Sequence, residues 1–391
     1  MKTILIIGGG FAGLEAAIFL RKENYDVTLA SNRDYFYIYP TSIWVPTRES
    51  NFSDVCVNLN ELKEAHGFKL LIDELTSIDA KTNTYTFSKS GELKDFDYVV
   101  LAMGASKLNH QGLEHTLSIC GRPEAALDIR AKIDEIIIKG SGKICFGFGG
   151  NPKDSSAVRG GPAFELLFNV HHLLEKKGIR DNYELTFFAP MAQPGKRMGD
   201  KSLDMLDKFF KKLNIKQHFG KKIKSFEEDG IVFEDDSKLD SDFTMFIPAG
   251  NGHEVIKTSD LPTNEAGFIS IDDYCQVTHD YADNIYAIGD ITALEGDEWR
   301  AKQGHIAEVM AKNVAYNIKE RDKGGKEFKG YQEHLNILCV MDSGDGAAFV
   351  YRDAKKSFMI PLPIIGHWLK KGWGSYCRYS KLGKIPRIPG M

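Results

Sequence analysis

The stretch Ile4-Leu5-Ile6-Ile7-Gly8-Gly9-Gly10-Phe11-Ala12-Gly13 decides the fold. Its apolar run reads as a short buried strand, its glycines as a turn, and Leu14 to Lys22 as a helix. The spacing is G-x-G-x-x-G. Gly8 permits the tight turn, Gly10 lets the backbone approach a pyrophosphate, and Gly13 lets helix and strand pack closely. The helix start, at Phe11 and Ala12, offers unpaired N–H groups to the phosphates. The stretch therefore predicts a dinucleotide-binding half-domain.

Two signals further along extend it. Asn284-Ile285-Tyr286-Ala287-Ile288-Gly289-Asp290 is another short apolar strand ending in Gly-Asp. In chains that resemble the flavoprotein disulfide reductases, such an Asp accepts a hydrogen bond from the ribityl chain of FAD. Tyr98-Val99-Val100-Leu101-Ala102-Met103-Gly104 resembles the strand that crosses beneath the FAD in the same proteins. Lys302-Gln303-Gly304-His305 opens a helix running to about Ile318. In that architecture its N-terminus points at the flavin, where its dipole favours negative charge on the reduced ring. Lys302 either adds to that charge or is simply solvated.

Composition narrows the class. With 391 residues the chain has room for two to three domains. A net charge of -4 argues against a nucleic-acid partner. No run of about 18 apolar residues predicts a spanning helix. A strand beginning at the N-terminus argues against a signal peptide, so the expected setting is cytoplasmic, or peripheral on a membrane. Six cysteines without C-x-x-C spacing argue against a zinc site and a disulfide scaffold.

The expected organisation is an FAD-binding domain from 1–106 and 251–320, a second Rossmann-like domain from 107–250, and a C-terminal segment from 321–391. Val27 to Ser31 is the second strand of the first domain. Such strands usually end in an acid that holds the adenosine ribose; here Ser31 and Asn32 are the candidates, as neutral hydrogen-bonding groups. The second domain starts like the first, at Lys143-Ile144-Cys145-Phe146-Gly147-Phe148-Gly149-Gly150, but Asn151 to Ser156 is inserted before a helix at Gly161-Pro162. Its next strand ends in Ala189-Pro190, with no acid for a ribose. Both departures predict a domain without tight NAD(P)H binding.

The charge run Lys319 to Lys329 reads as a linker. From Lys355 onward there is no acidic residue, while Lys370, Lys371, Arg378 and Lys381 alternate with Ile364, Ile365, Trp368, Leu369, Trp373 and Tyr379. Basic residues beside Trp and aliphatic runs are the composition of a membrane-interface segment. The fold class is thus α/β, two Rossmann-like domains with a C-terminal amphipathic membrane-interface segment.

Together these stretches resemble the sulfide:quinone oxidoreductases and their relatives, the flavocytochrome c sulfide dehydrogenases and the type II NADH dehydrogenases, over nearly the whole chain. Val27 to Phe36 with Pro40-Thr41-Ser42, and Lys302-Gln303-Gly304, look closer to the sulfide branch. The resemblance implies FAD held by Gly8, Gly10, Phe11, Ala12, Gly13, Ser31, Asn32, Pro40, Ala102, Gly104, Gly289, Asp290, Lys302 and Gly304. It implies sulfide or a related sulfur species as donor, quinone as acceptor and a membrane surface as partner, with homo-oligomerisation open. It also implies attack of sulfide on a sulfur bridge between cysteines. Cys120 and Cys339 match the family's early and C-terminal redox cysteines. Its central cysteine has no counterpart in Val158-Arg159-Gly160-Gly161-Pro162. That departure keeps two other readings open: an NADH:quinone oxidoreductase, and a flavin-bearing electron-relay subunit.

Overall fold

The computed structural model describes residues 1–387. The chain first lays down β1 (Thr3–Ile7), α1 (Phe11–Lys22), β2 (Asp26–Ser31), β3 (Lys69–Ile72) and β4 (Tyr98–Leu101). It crosses to α2 (Ala125–Lys139), β5 (Gly142–Phe148), α3 (Gly161–Lys176), β6 (Tyr183–Ala189), α4 (Asp200–Lys212), β7 (Lys216–Phe219) and β8 (Phe243–Ile247). It then returns for β9 (Ile285–Ala287) and α5 (Gly304–Asp322). The last part holds β10 (Ile337–Asp342), β11 (Gly346–Arg352), β12 (Ser357–Pro363) and α6 (Ile365–Lys381).

The first sheet is parallel, in the order β9-β4-β1-β2-β3. A parallel sheet is covered on both faces, so its strands are apolar without alternation. Ile4, Leu5 and Ile6 in β1 and Val99, Val100 and Leu101 in β4 are accordingly 0% exposed. The second sheet, β7-β6-β5-β8, is also parallel. It carries an aromatic core in which the Phe164 ring of α3 stacks on Phe187 at 4.3 Å. The two crossing segments pair with each other: Ser106–Lys107 runs antiparallel to Gly250–Asn251. This small ribbon fixes the carboxyl ends of both sheets around one crevice, where ligands bind in open α/β folds.

Two expectations need correction. The charge run is not a linker from Lys319, because α5 continues to Asp322. Asp322 is held by Lys2, Tyr25 and Tyr98, which gives those last residues a packed role. Nor do the tail's basic residues, read as part of a membrane interface, form a mainly outward face. β10, β11 and β12 form an antiparallel sheet, and α6 packs on it. Its basic residues mostly turn inward. Lys370 pairs with Glu165, Lys371 with Glu49 at 2.9 Å, and Arg378 donates to the carbonyl oxygens of Ser53 and Asp54. The apolar side is what faces out: Ile365 is 64% and Trp368 66% exposed. The final four residues of the tail lie outside the described residues.

Buried Asp342 ties this C-terminal unit to the rest. It accepts from the Trp44 indole at 3.1 Å and from Asn169 of α3 at 3.0 Å, and it bonds Nδ1 of His367 in α6 at 2.7 Å. Burial raises its carboxyl, but His367 and Trp44 outweigh this and hold it below the usual range.

Candidate functional site

A crevice of about 2020 Å³ runs between the two sheets and under the C-terminal unit. It exceeds the roughly 300–1,000 Å³ of a pocket for one small ligand, so a dinucleotide and a second molecule fit together.

One wall is the glycine turn. A Cβ at Gly13 would lie 1.9 Å from the Gly8 carbonyl oxygen, and one at Gly8 would lie 2.3 Å from that of Ala102. Helix α1 can approach β1 and β4 only without those side chains. A Cβ at Gly10 would meet nothing within 4 Å, because that position borders the open crevice. Gly10, the N-cap of α1, offers no side-chain cap, and the first turn holds no acid. The orphan N–H groups there suit an anion. Of the residues expected to hold FAD, all but Gly13 line the crevice. Gly13 acts through the packing just described. The start of α5 is likewise uncapped by a side chain and free of acid.

Local surroundings qualify three of these residues. Ser31 is buried, and its hydroxyl already donates to the Arg33 carbonyl oxygen at 2.7 Å. Asn32 is exposed at the rim, which leaves it the freer ribose partner. Lys302 is not solvated: it is buried, donates to the Thr292 carbonyl oxygen, and stands 3.9 Å over the Phe268 ring. Burial pushes its amine down to about 8, against the opposing pull of Asp154 and Asp290.

The structure adds residues that the sequence did not single out as site residues. Arg159 stands in the segment where the resemblance leads one to expect a cysteine, and it ion-pairs with Asp290. Asp290 uses only Oδ2 for this, and Oδ1 has no hydrogen-bond partner among the described residues. Asp290, then the burial that opposes it, then Cys120 set the guanidinium's ionisation, and the net effect is upward. Lys107, in the crossing ribbon, also lines the crevice; burial and Arg159 depress its amine. The signal for Arg159 was a lone charge in an otherwise apolar and glycine-rich turn. Lys107 gave none.

The two candidate cysteines both line the crevice as free thiols. They sit in different surroundings. Cys120 is close to Arg159, and Lys107 lines the same crevice. Cys339, in β10, is beside Glu165 and Lys370. Although part of Cys339 reaches the surface, burial pushes its thiol up to about 12, with Glu165 adding to the effect.

Two parallel nucleotide-type sheets, a phosphate cradle and free thiols around one crevice define a flavin-dependent oxidoreductase. A model of the family described as pyridine nucleotide-disulphide oxidoreductase matches residues 2–311, and the chain belongs to that family. It is similar to a sulfide-quinone reductase of Aquifex aeolicus, 29% identical over 375 residues, or 90% of this chain and 84% of that protein. It is also similar to a type II NADH:quinone oxidoreductase of Staphylococcus epidermidis, 22% identical over 377 residues, 90% of each chain. The solved structure of the Aquifex aeolicus sulfide:quinone oxidoreductase superposes with a TM-score of 0.88 at 24% identity, covering 100% of this chain and 93% of that one. NDH2 of Plasmodium falciparum superposes with a TM-score of 0.76 at 14% identity, covering 100% and 99%. FAD is the cofactor, and the glycine cradle fits it.

Proposed function

We propose that this protein oxidises sulfide, or a related reduced sulfur species, and delivers the electrons to a quinone at a membrane surface. The observation that carries this reading is the lining of the crevice. It joins the glycine turn, Cys120 and Cys339 to Leu369 and Trp373 of α6, the helix whose start exposes Ile364, Ile365 and Trp368. Bound FAD supplies a two-electron acceptor and donor.

The chain's own groups then divide the work. Cys120 offers sulfur to the donor side, with Arg159 and Lys107 facing any thiolate that forms there. Cys339, whose thiol ionises reluctantly, is better suited to holding oxidised sulfur than to attacking as a thiolate. Quinone reduction consumes protons. Glu165, raised by burial, and its partner Lys370 line the crevice beside α6 and are placed to hold them. Among the described residues no helix is long and apolar enough to cross a membrane, so attachment rests on the outward face of α6.

The NADH reading is the weaker one. β6 ends at Ala189 without an acid, and the inserted loop is pinned by Asn151 to the Gly250 carbonyl oxygen and by Asn264 to Asp154. The test is anaerobic mixing of the FAD-loaded protein with sulfide and, separately, NADH. Sulfide should bleach the flavin and NADH should not. Bleaching by NADH alone favours the NADH:quinone oxidoreductase, and bleaching by neither favours a relay subunit. Cys120→Ser and Cys339→Ser should each slow the sulfide reaction at least tenfold with FAD still bound; undiminished reduction removes that cysteine from the mechanism.

A further inference from the structure

A quinone seated against Glu165 and Lys370 closes the crevice side of that pair to water. The pair must then be recharged from behind, where a run of titratable groups lies that does not line the crevice. The Asp342 N–H donates to Glu165 Oε1 at 2.8 Å, so the two carboxylates stand within one residue's reach of each other. Asp342 Oδ1 is taken by Trp44, Asn169 and the Gly344 N–H, which leaves Oδ2 to Nδ1 of His367 at 2.7 Å. The other ring nitrogen, Nε2, faces Glu49 Oε2 at 3.8 Å, and Glu49 also pairs with Lys371 at 2.9 Å. Exposure rises along this line: the side chains of Asp342, His367 and Glu49 are 0%, 9% and 24% exposed. Trp44 closes the flank, its ring 5.4 Å from that of His367. Lys370 follows His367 by three positions on α6, so both project from the same face of the helix.

Resting on the quinone-reducing reading above, we propose that Glu49, His367 and Asp342 form a proton inlet that recharges Glu165 and Lys370 during quinone reduction. The quinone becomes a quinol by taking two electrons from the bound cofactor and two protons. A proton shared by Glu165 and Lys370 passes to a quinone oxygen, where an O–H bond forms. His367 then releases its Nδ1 hydrogen to Asp342 Oδ2, which hands it on to Glu165, and the ring takes a proton at Nε2 from water beside Glu49. An imidazole suits this passage because its two nitrogens gain and lose hydrogen separately. The ring is faced by the Asp342 and Glu49 carboxylates, while Lys370 and Lys371 of its own helix are paired with Glu165 and Glu49. His367 is thus a positioning residue, acting on the quinone only through the pair that lines the crevice.

The experiment starts from the FAD-loaded full chain with its flavin reduced photochemically, so that neither sulfide nor NADH takes part. It follows reoxidation of the flavin by duroquinone from acid to alkaline pH. His367→Gln keeps a donor to Asp342 but cannot pass a proton. It should slow reoxidation at least tenfold, the more so as pH rises, with FAD content unchanged. Imidazole added to His367→Ala should restore the rate. Glu49→Gln, at the half-exposed end, should slow reoxidation less, with the same dependence on pH. A merely structural role predicts a slowing that is the same at every pH and that imidazole does not relieve. That result, or undiminished reoxidation in His367→Gln, overturns the inlet and leaves the quinone reading standing. Should His367→Gln lose its fold, Glu49→Gln decides, and a wild-type rate there overturns the inlet. A wild type whose reduced flavin duroquinone does not reoxidise overturns the quinone reading and the inlet with it.

Discussion

Lys302 shows what a single buried charge does. Its amine titrates near 8 in the folded chain and at 10.5 when free of the fold. Between those values the unfolded chain binds the extra proton, so stability rises with pH across that window. The burial penalty is fully felt below pH 8 and relieved above 10.5. In the apoprotein, Lys302→Met should abolish that rise, worth at most about 3 kcal/mol. The measurement is the wild-type-minus-variant difference in unfolding midpoint from pH 7.5 to 10.5. A difference that stays flat with pH means that Lys302 is not buried as described.

At the scale of elements, α6 is fastened to the cofactor helix. Lys381 lies buried between Glu15 of α1, at 3.0 Å, and Glu308 of α5, at 2.6 Å, and Arg387 also pairs with Glu15. Removing one member of a buried ion cluster strands the others and typically costs about 3–5 kcal/mol. Lys381→Met should therefore lower the thermal midpoint clearly, and adding Glu308→Gln should recover part of the loss. A single variant as stable as wild type would show that this end of α6 is not docked. The same fastening makes deletion of residues 355–391 a poor probe of membrane attachment. It would also remove β12 from its sheet and the cation from Glu15.

Over the whole molecule, the membrane attachment proposed above would be set by which side of α6 remains free. Its cations are mostly spent inside the protein, so contact with a bilayer rests on Ile364, Ile365 and Trp368. Burying two such side chains is worth several times the 1.4 kcal/mol of a tenfold change. Ile365→Ser with Trp368→Ser should weaken sedimentation with mixed neutral and anionic vesicles at least tenfold. Raising the salt should change wild-type binding little, because few free cations take part. A full-length protein that stays in the supernatant sinks the interfacial reading.

The sequence by itself determined the dinucleotide fold. The requirements of β1, the glycine turn and α1 are local: no Cβ at Gly8 or Gly13, and apolar residues on both faces of a short strand. Such constraints are written within one stretch, and the Gly-Asp at Gly289-Asp290 repeated the message. Only the tertiary structure decided what surrounds the sulfur. Arg159 meets Asp290 across 131 positions, and Lys381 meets Glu15 across 366. Lys370 and Lys381 of α6 face inward for the same reason. The direction of a charge depends on which carboxylates the fold brings to it, and no spacing along the chain encodes that.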